Sequence, residues 1–110
     1  MGRTVLIADD QAFMRHILGT DLSSHGYTIH YAENGRDAVS KAKEIMPDII
    51  LLDIMMPVMD GYEACAQIRK EPLIKDIPVI FLTANAQKSA IIKAVQAGGN
   101  DYAVKSPDSS

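Results

Sequence analysis

Asp48-Ile49-Ile50-Leu51-Leu52-Asp53-Ile54-Met55-Met56-Pro57-Val58-Met59-Asp60-Gly61 is the stretch on which the fold of this chain turns. Ile49 to Leu52 is an unbroken apolar run of strand length, with Pro47 closing the pattern before it and Pro57 marking a loop after it. It predicts a central strand buried on both faces. A carboxylate at the C-terminal end of such a strand, followed by a Met-Met-Pro turn and a Met-Asp-Gly helix entry, sits where open α/β sheets place their chemistry. Asp53 is therefore the first candidate functional residue.

Upstream, Thr4-Val5-Leu6-Ile7-Ala8 is a second short apolar run, ending in Asp9-Asp10. Met14, Ile17, Leu18 and Leu22 then fall at helical spacing, with Asp10 as the expected N-cap and Gly26 as the stop. Tyr27 to Ala32 alternates in the manner of an edge strand, and Asn34-Gly35 turns the chain. Ala38, Val39, Ala42, Ile45 and Met46 outline the next helix face, which Pro47 ends. Downstream, Gly61 to about Lys70 predicts a helix burying Ala64, Cys65 and Ile68. Ile77 to Leu82 predicts a fourth strand, ending at Thr83-Ala84-Asn85. Ala90, Ile91, Ala94 and Val95 mark a fourth helix stopped by Gly98-Gly99, and Tyr102-Ala103-Val104 a short fifth strand ending at Lys105.

At 110 residues, 47% of them hydrophobic, the chain has the size of a single domain over 1–110 with one core. The formal net charge is −3 and the basic residues are scattered, which argues against binding nucleic acid or an anionic membrane. The single cysteine, Cys65, lies in a helical pattern and no secretory leader pattern opens the chain, so the expected location is cytoplasmic. No apolar run approaches the roughly 18 residues of a membrane helix.

Strands alternating with helices through short links imply parallel βαβ units, with right-handed crossovers and helices on both faces of one sheet. Asp9/Asp10, Asp53, Thr83 and Lys105 then each close a different strand along one sheet edge. Each alone has an ordinary reading: Asp10 as a helix cap, Thr83 as a turn residue, Lys105 as a surface charge. Their coincidence is the signal. Converging carboxylates repel unless a cation neutralises them, and oxygen-only ligands point to Mg²⁺. Lys105 and the Thr83 hydroxyl would bind oxygens of a phosphoryl group arriving at Asp53, beside the small Ala84. Asp53 would be the nucleophile of an acyl-phosphate reaction, with developing charge stabilised by the metal and Lys105. His16 and His30 stand apart from this cluster and are expected to be structural. Cys65 is expected to be a small core residue, and Met55, Met56 and Met59 to pack in the loop and core.

Asp9-Asp10 after the first strand, Asp53 with Met56-Pro57-Met59-Asp60-Gly61, Thr83-Ala84 after the fourth, and Tyr102 three residues before Lys105 together resemble the receiver domain of two-component response regulators. The resemblance runs from Thr4 to Lys105. It implies a flavodoxin-like, doubly wound α/β fold, with a five-stranded parallel sheet in the order 2-1-3-4-5. It also implies that Asp53 accepts phosphate from a sensor histidine kinase or histidine phosphotransfer protein. Asp10, Asp53 and the Met55 carbonyl would hold Mg²⁺, with Asp9 acting through water. Thr83 and Tyr102 would be a switch pair, and the domain would be a signalling phosphoacceptor rather than an enzyme.

This chain departs from that family in two places. Ser106 separates Lys105 from Pro107, where the family usually places Pro directly after the Lys, and no fifth helix follows the fifth strand. The second departure implies an uncovered sheet face over the third, fourth and fifth strands, and so self-association into a homo-oligomer. Met55 and Asn85, two residues beyond Asp53 and Thr83, are expected to border the path of an attacking water. Among rival readings, a flavodoxin-like nucleotide binder would need phosphate-cradling amides where Asp9-Asp10 stands. A haloacid-dehalogenase-type phosphatase would need a second carboxylate at Met55. A receiver-like interaction module independent of phosphorylation stays open as the alternative.

Overall fold

A computed structural model describes residues 2–83 and 88–104. Ala84, Asn85, Lys105, Ser106 and Pro107, named above, lie outside the described residues. The elements alternate as β1 (Thr4–Ala8), α1 (Ala12–Ser24), β2 (Thr28–Ala32), α2 (Gly35–Ile45), β3 (Ile49–Asp53), α3 (Gly61–Lys70), β4 (Val79–Thr83), α4 (Lys88–Gln96) and β5 (Asp101–Val104). All pairings are parallel, and the order is β2-β1-β3-β4-β5. Four helices and no fifth are found among the described residues.

Local chemistry sets most boundaries. Asn34 caps α2 by accepting the Asp37 N–H, and Asp60 caps α3 by accepting the Glu63 N–H. Gly26, at φ +91°, supplies the left-handed residue that turns the chain out of α1. Met46 does the same after α2 at φ +54°, because Pro47 forbids another helical turn.

Asp10 does not cap α1 as expected. The N-cap is Gln11, whose own N–H is held by Asp9 Oδ1 at 2.9 Å. The sheet is also unevenly covered. On one face Leu6, Ala8, Ile50, Leu52, Val79 and Phe81 are fully buried against α2, α3 and α4, through Ala38, Ala42, Ala64, Cys65, Ile68 and Ala94. On the other face Val5 and Ile7 are buried, but Ile49, Leu51 and Ile80 are only half-buried. The expectation that β3 is buried on both faces therefore fails on one, because α1 packs over β1 and β2. The uncovered area is smaller than expected, since Leu82 is 4% exposed. Met46 and Val95, expected on buried helix faces, are exposed, each lying at the end of its helix beyond the strands it covers.

Candidate functional site

Asp53 is the last residue of β3, the central strand, and β1 and β4 flank it. The chain leaving β1 delivers Asp9 and Asp10 beside it. One carboxylate oxygen from each of Asp9, Asp10 and Asp53 lies within 4.8 Å of the others. Among the described residues this is the one group of three acidic or metal-ligating side chains so placed.

Asp9 is anchored through both its backbone and its side chain. Its N–H donates to the Ala32 carbonyl at 3.1 Å, its Oδ1 accepts the Gln11 N–H at 2.9 Å, and the Arg15 guanidinium donates to its carbonyl oxygen at 2.7 Å. Asp9 is fully buried and Asp53 is 2% exposed, whereas Asp10 stands at the surface. Carboxylates crowded together at the end of a sheet repel one another, and a cation held between them would offset that repulsion. The donor set is all oxygen, which fits a hard divalent ion that keeps part of its water shell.

Thr83 closes β4 and is buried. The Ile54 N–H donates to the Leu82 carbonyl at 3.2 Å, so the pairing of β3 with β4 runs one step past Asp53. Tyr102 pairs in register with Phe81, two residues before Thr83, so Tyr102 and Thr83 project from the same face of the sheet. Tyr102 is 39% exposed. Lys105, expected at the fourth corner, lies outside the described residues.

The loop after Asp53 is tied at both ends. The Gly61 N–H donates to the Ile54 carbonyl at 2.8 Å, and the Gly35 N–H donates to the Met59 carbonyl at 3.0 Å. A Cβ at Gly61 would overlap the Asp53 carbonyl oxygen, and one at Gly35 would overlap the Met59 carbonyl oxygen. Both glycines therefore let backbones meet where no other residue fits. Ile54 and Met56 anchor the loop in the core, while Met55 is 78% exposed; of the three methionines, Met55 departs from the expected packing role.

Sequence reasoning missed Arg15 and Gly35 for the site, and read Gly61 only as part of the helix entry in the Asp53 motif. The signal was available only as a glycine in the first helical position of α2 and of α3, which periodicity does not register. His16 and His30 are exposed and outside the cluster. Burial pushes the Cys65 thiol pKa up, partly offset by Arg69, so Cys65 is an inert core residue.

A family model described as the response regulator receiver domain matches residues 5–110. The chemotaxis protein CheY of Thermotoga maritima is 44% identical over 107 residues, covering 96% of this chain and 87% of that protein. The transcriptional regulatory protein ResD of Bacillus subtilis is 43% identical over 101 residues, covering 92% of this chain and 41% of ResD. The chain spans about two fifths of the length of several curated relatives, ResD among them. Among solved structures, the receiver domain of the sensor histidine kinase PA1611 from Pseudomonas aeruginosa superposes with a TM-score of 0.89 at 35% identity, covering 99% of this chain and 88% of that one. That structure is described with a magnesium ion coordinated in its active site cleft.

Proposed function

This chain belongs to the response regulator receiver family of two-component signalling, and from that premise we propose that Asp53 is its phosphoacceptor. The observation that carries the assignment is the placing of Asp53 at the end of the central strand, within 4.8 Å of the Asp9 and Asp10 carboxylates. The Asp53 carboxylate oxygen attacks phosphorus, an O–P bond forms, and the bond from phosphorus to the donor breaks with its electron pair leaving on the donor. The donor is a histidine kinase or histidine phosphotransfer protein, whose P–N bond is the one cleaved.

Asp10, Asp53 and the Met55 carbonyl are the groups that would hold Mg²⁺, with Asp9 reaching it through water. When bound, the ion neutralises the carboxylates and offsets charge on the phosphoryl oxygens. The Thr83 hydroxyl and the Lys105 ammonium take the remaining phosphoryl oxygens. Thr83 moving toward the phosphoryl group opens space on the face it shares with Tyr102, and Tyr102, still 39% exposed, turns inward. The output is thus a change of surface, with no turnover of a separate substrate.

No helix among the described residues is long and apolar enough to cross a membrane; the net charge of −3 with scattered basic residues supports the reading of a cytoplasmic domain that binds neither an anionic membrane nor nucleic acid. The half-buried Ile49, Leu51 and Ile80 support self-association through that sheet face. The test of the site is intact mass after incubation with acetyl phosphate and Mg²⁺. Wild type should gain one phosphoryl group, Asp53→Asn none, and Asp10→Asn should lose the dependence on Mg²⁺. Equal phosphorylation of Asp53→Asn would overturn the assignment, whereas a wild type that gains no phosphoryl group would leave the phosphorylation-independent interaction module as the better reading.

A further inference from the structure

β2 stands at one end of the sheet, so one side of its backbone meets no other strand among the described residues. The ladder with β1 shows which groups that side carries. The Thr28 N–H donates to the Arg3 carbonyl at 2.9 Å, and the Ala32 carbonyl accepts the Asp9 N–H at 3.1 Å. Alternate residues of a strand turn their N–H and C=O toward the same neighbour, so Thr28, His30 and Ala32 face β1. Ile29 and Tyr31 face away from it, and Glu33 continues the alternation just past the strand end. An edge of this kind is a template on which a further strand pairs.

The strand itself does little to discourage such pairing. Thr28, Ile29 and Tyr31 are β-branched or aromatic, Tyr31 is exposed, and no Pro, Lys, Arg, Asp or Glu lies between Thr28 and Ala32. Protection comes instead from α2. The Lys41 ammonium donates to the Tyr31 carbonyl oxygen, and Asp37 Oδ2 accepts the Glu33 N–H at 3.2 Å. The same Asp37 oxygen lies 3.4 Å from Lys41 Nζ. One helical turn apart, the two side chains meet each other and occupy two successive outward groups of the edge, the acceptor at Tyr31 and the donor at Glu33. Both stay partly exposed, and an exposed pair of this kind adds little to stability. Its consequence lies in what it covers.

We infer that Lys41, braced by Asp37, closes the outer edge of β2 and keeps a strand of a second copy from extending the sheet. A second copy is the occupant that this edge fits. A two-fold axis beside His30 would set β2 against β2 in antiparallel register, with Ile29 of each copy opposite Tyr31 of the other and both residues presenting free N–H and C=O groups. That pairing needs the Tyr31 carbonyl which Lys41 holds. The incoming chain must displace an ammonium that is already hydrogen-bonded, and it must bring two copies of Lys41 to one seam, where like charges repel. The edge of β2 is a different surface from the half-buried face of β3 and β4, so association through either can be told from the other.

The test compares wild type, Lys41→Ala and Lys41→Arg by sedimentation equilibrium from micromolar to millimolar, with amide hydrogen exchange at Ile29 and Tyr31 read by NMR over the same range. Alanine is the better helix former, so Lys41→Ala keeps α2 while removing the ammonium. It should associate about tenfold or more tightly than wild type, since a blocking hydrogen bond is removed from each copy, and its Ile29 and Tyr31 amides should become protected as concentration rises. Lys41→Arg keeps a charged donor and should match wild type, whose two amides should exchange at one rate throughout. Association of Lys41→Ala no tighter than wild type would overturn the inference, as would Lys41→Arg associating as tightly as Lys41→Ala. Tighter association that leaves the Ile29 and Tyr31 amides unprotected would overturn it too, because the contact would then lie elsewhere. Protection of those amides rising with concentration in wild type would show the edge open with Lys41 in place, and so would contradict the inference as well.

Discussion

The two faces of the sheet are built from the same strands but finished differently. Phe81 and Ile80 are adjacent on β4; Phe81 is fully buried among α3 and α4 residues and Tyr62, whereas Ile80 is half-buried on the face that α1 covers only over β1 and β2. A parallel sheet ordinarily has both faces covered. The acidic cluster belongs to the better-covered part of this architecture. Its carboxylates are set by strand ends and by loops tied to the dense face, through Gly35, Gly61 and Met56.

The strongest way to break this comparison is to empty each face in turn. Phe81→Ala should destabilise the domain by about 3–5 kcal/mol in urea unfolding, and Ile80→Ala by about 1 kcal/mol at micromolar protein, since only part of that side chain leaves water. If a second copy covers the open face, the Ile80→Ala effect should grow with protein concentration toward millimolar, in step with dimer seen by sedimentation equilibrium. Equal effects of the two variants at low concentration would show that both faces are closed in solution.

The same contrast recurs between two neighbouring methionines, with a smaller expected effect. Met56 is 9% exposed and belongs to the core, while Met55, two residues beyond Asp53, is 78% exposed. Met55→Asn should leave stability within about 0.5 kcal/mol, as surface substitutions do. It should, however, shorten the phosphorylated half-life, because a polar side chain there can order the attacking water that an apolar one excludes. A half-life unchanged or longer, followed by loss of the phosphoryl mass, would show that Met55 does not guard that path.

Much of this was legible from residues alone because it rests on short-range rules. Short apolar runs located β1, β3 and β4, and a carboxylate or threonine at each of these strand ends marked the site edge. The strand order came with the family resemblance, since pairing partners distant in sequence leave no local mark. What escaped depends on long-range backbone contact. Periodicity has no way to register that Gly35 must clear the Met59 carbonyl, or that Val58 is forced to positive φ. The Asp10 cap was misassigned because Asp9 and Asp10 are equally good capping types, and only the turn closed on Asp9 Oδ1 distinguishes them. Arg69 shows the same limit. It ties α3 to Lys75 and Ile77 in one segment and to Gly98 and Asn100 in another, yet reads in sequence as an ordinary charge at a helix C-terminus.

The central claim is that the phosphoryl group is carried by Asp53 and not by either of the carboxylates beside it. Borohydride reduces an acyl phosphate to an alcohol and so converts the phosphorylated aspartate into homoserine. Wild-type protein treated with acetyl phosphate and Mg²⁺, reduced, digested and sequenced by mass spectrometry should carry homoserine at position 53, with Asp9 and Asp10 intact. Homoserine at position 9 or 10, with Asp53 unchanged, would contradict the account.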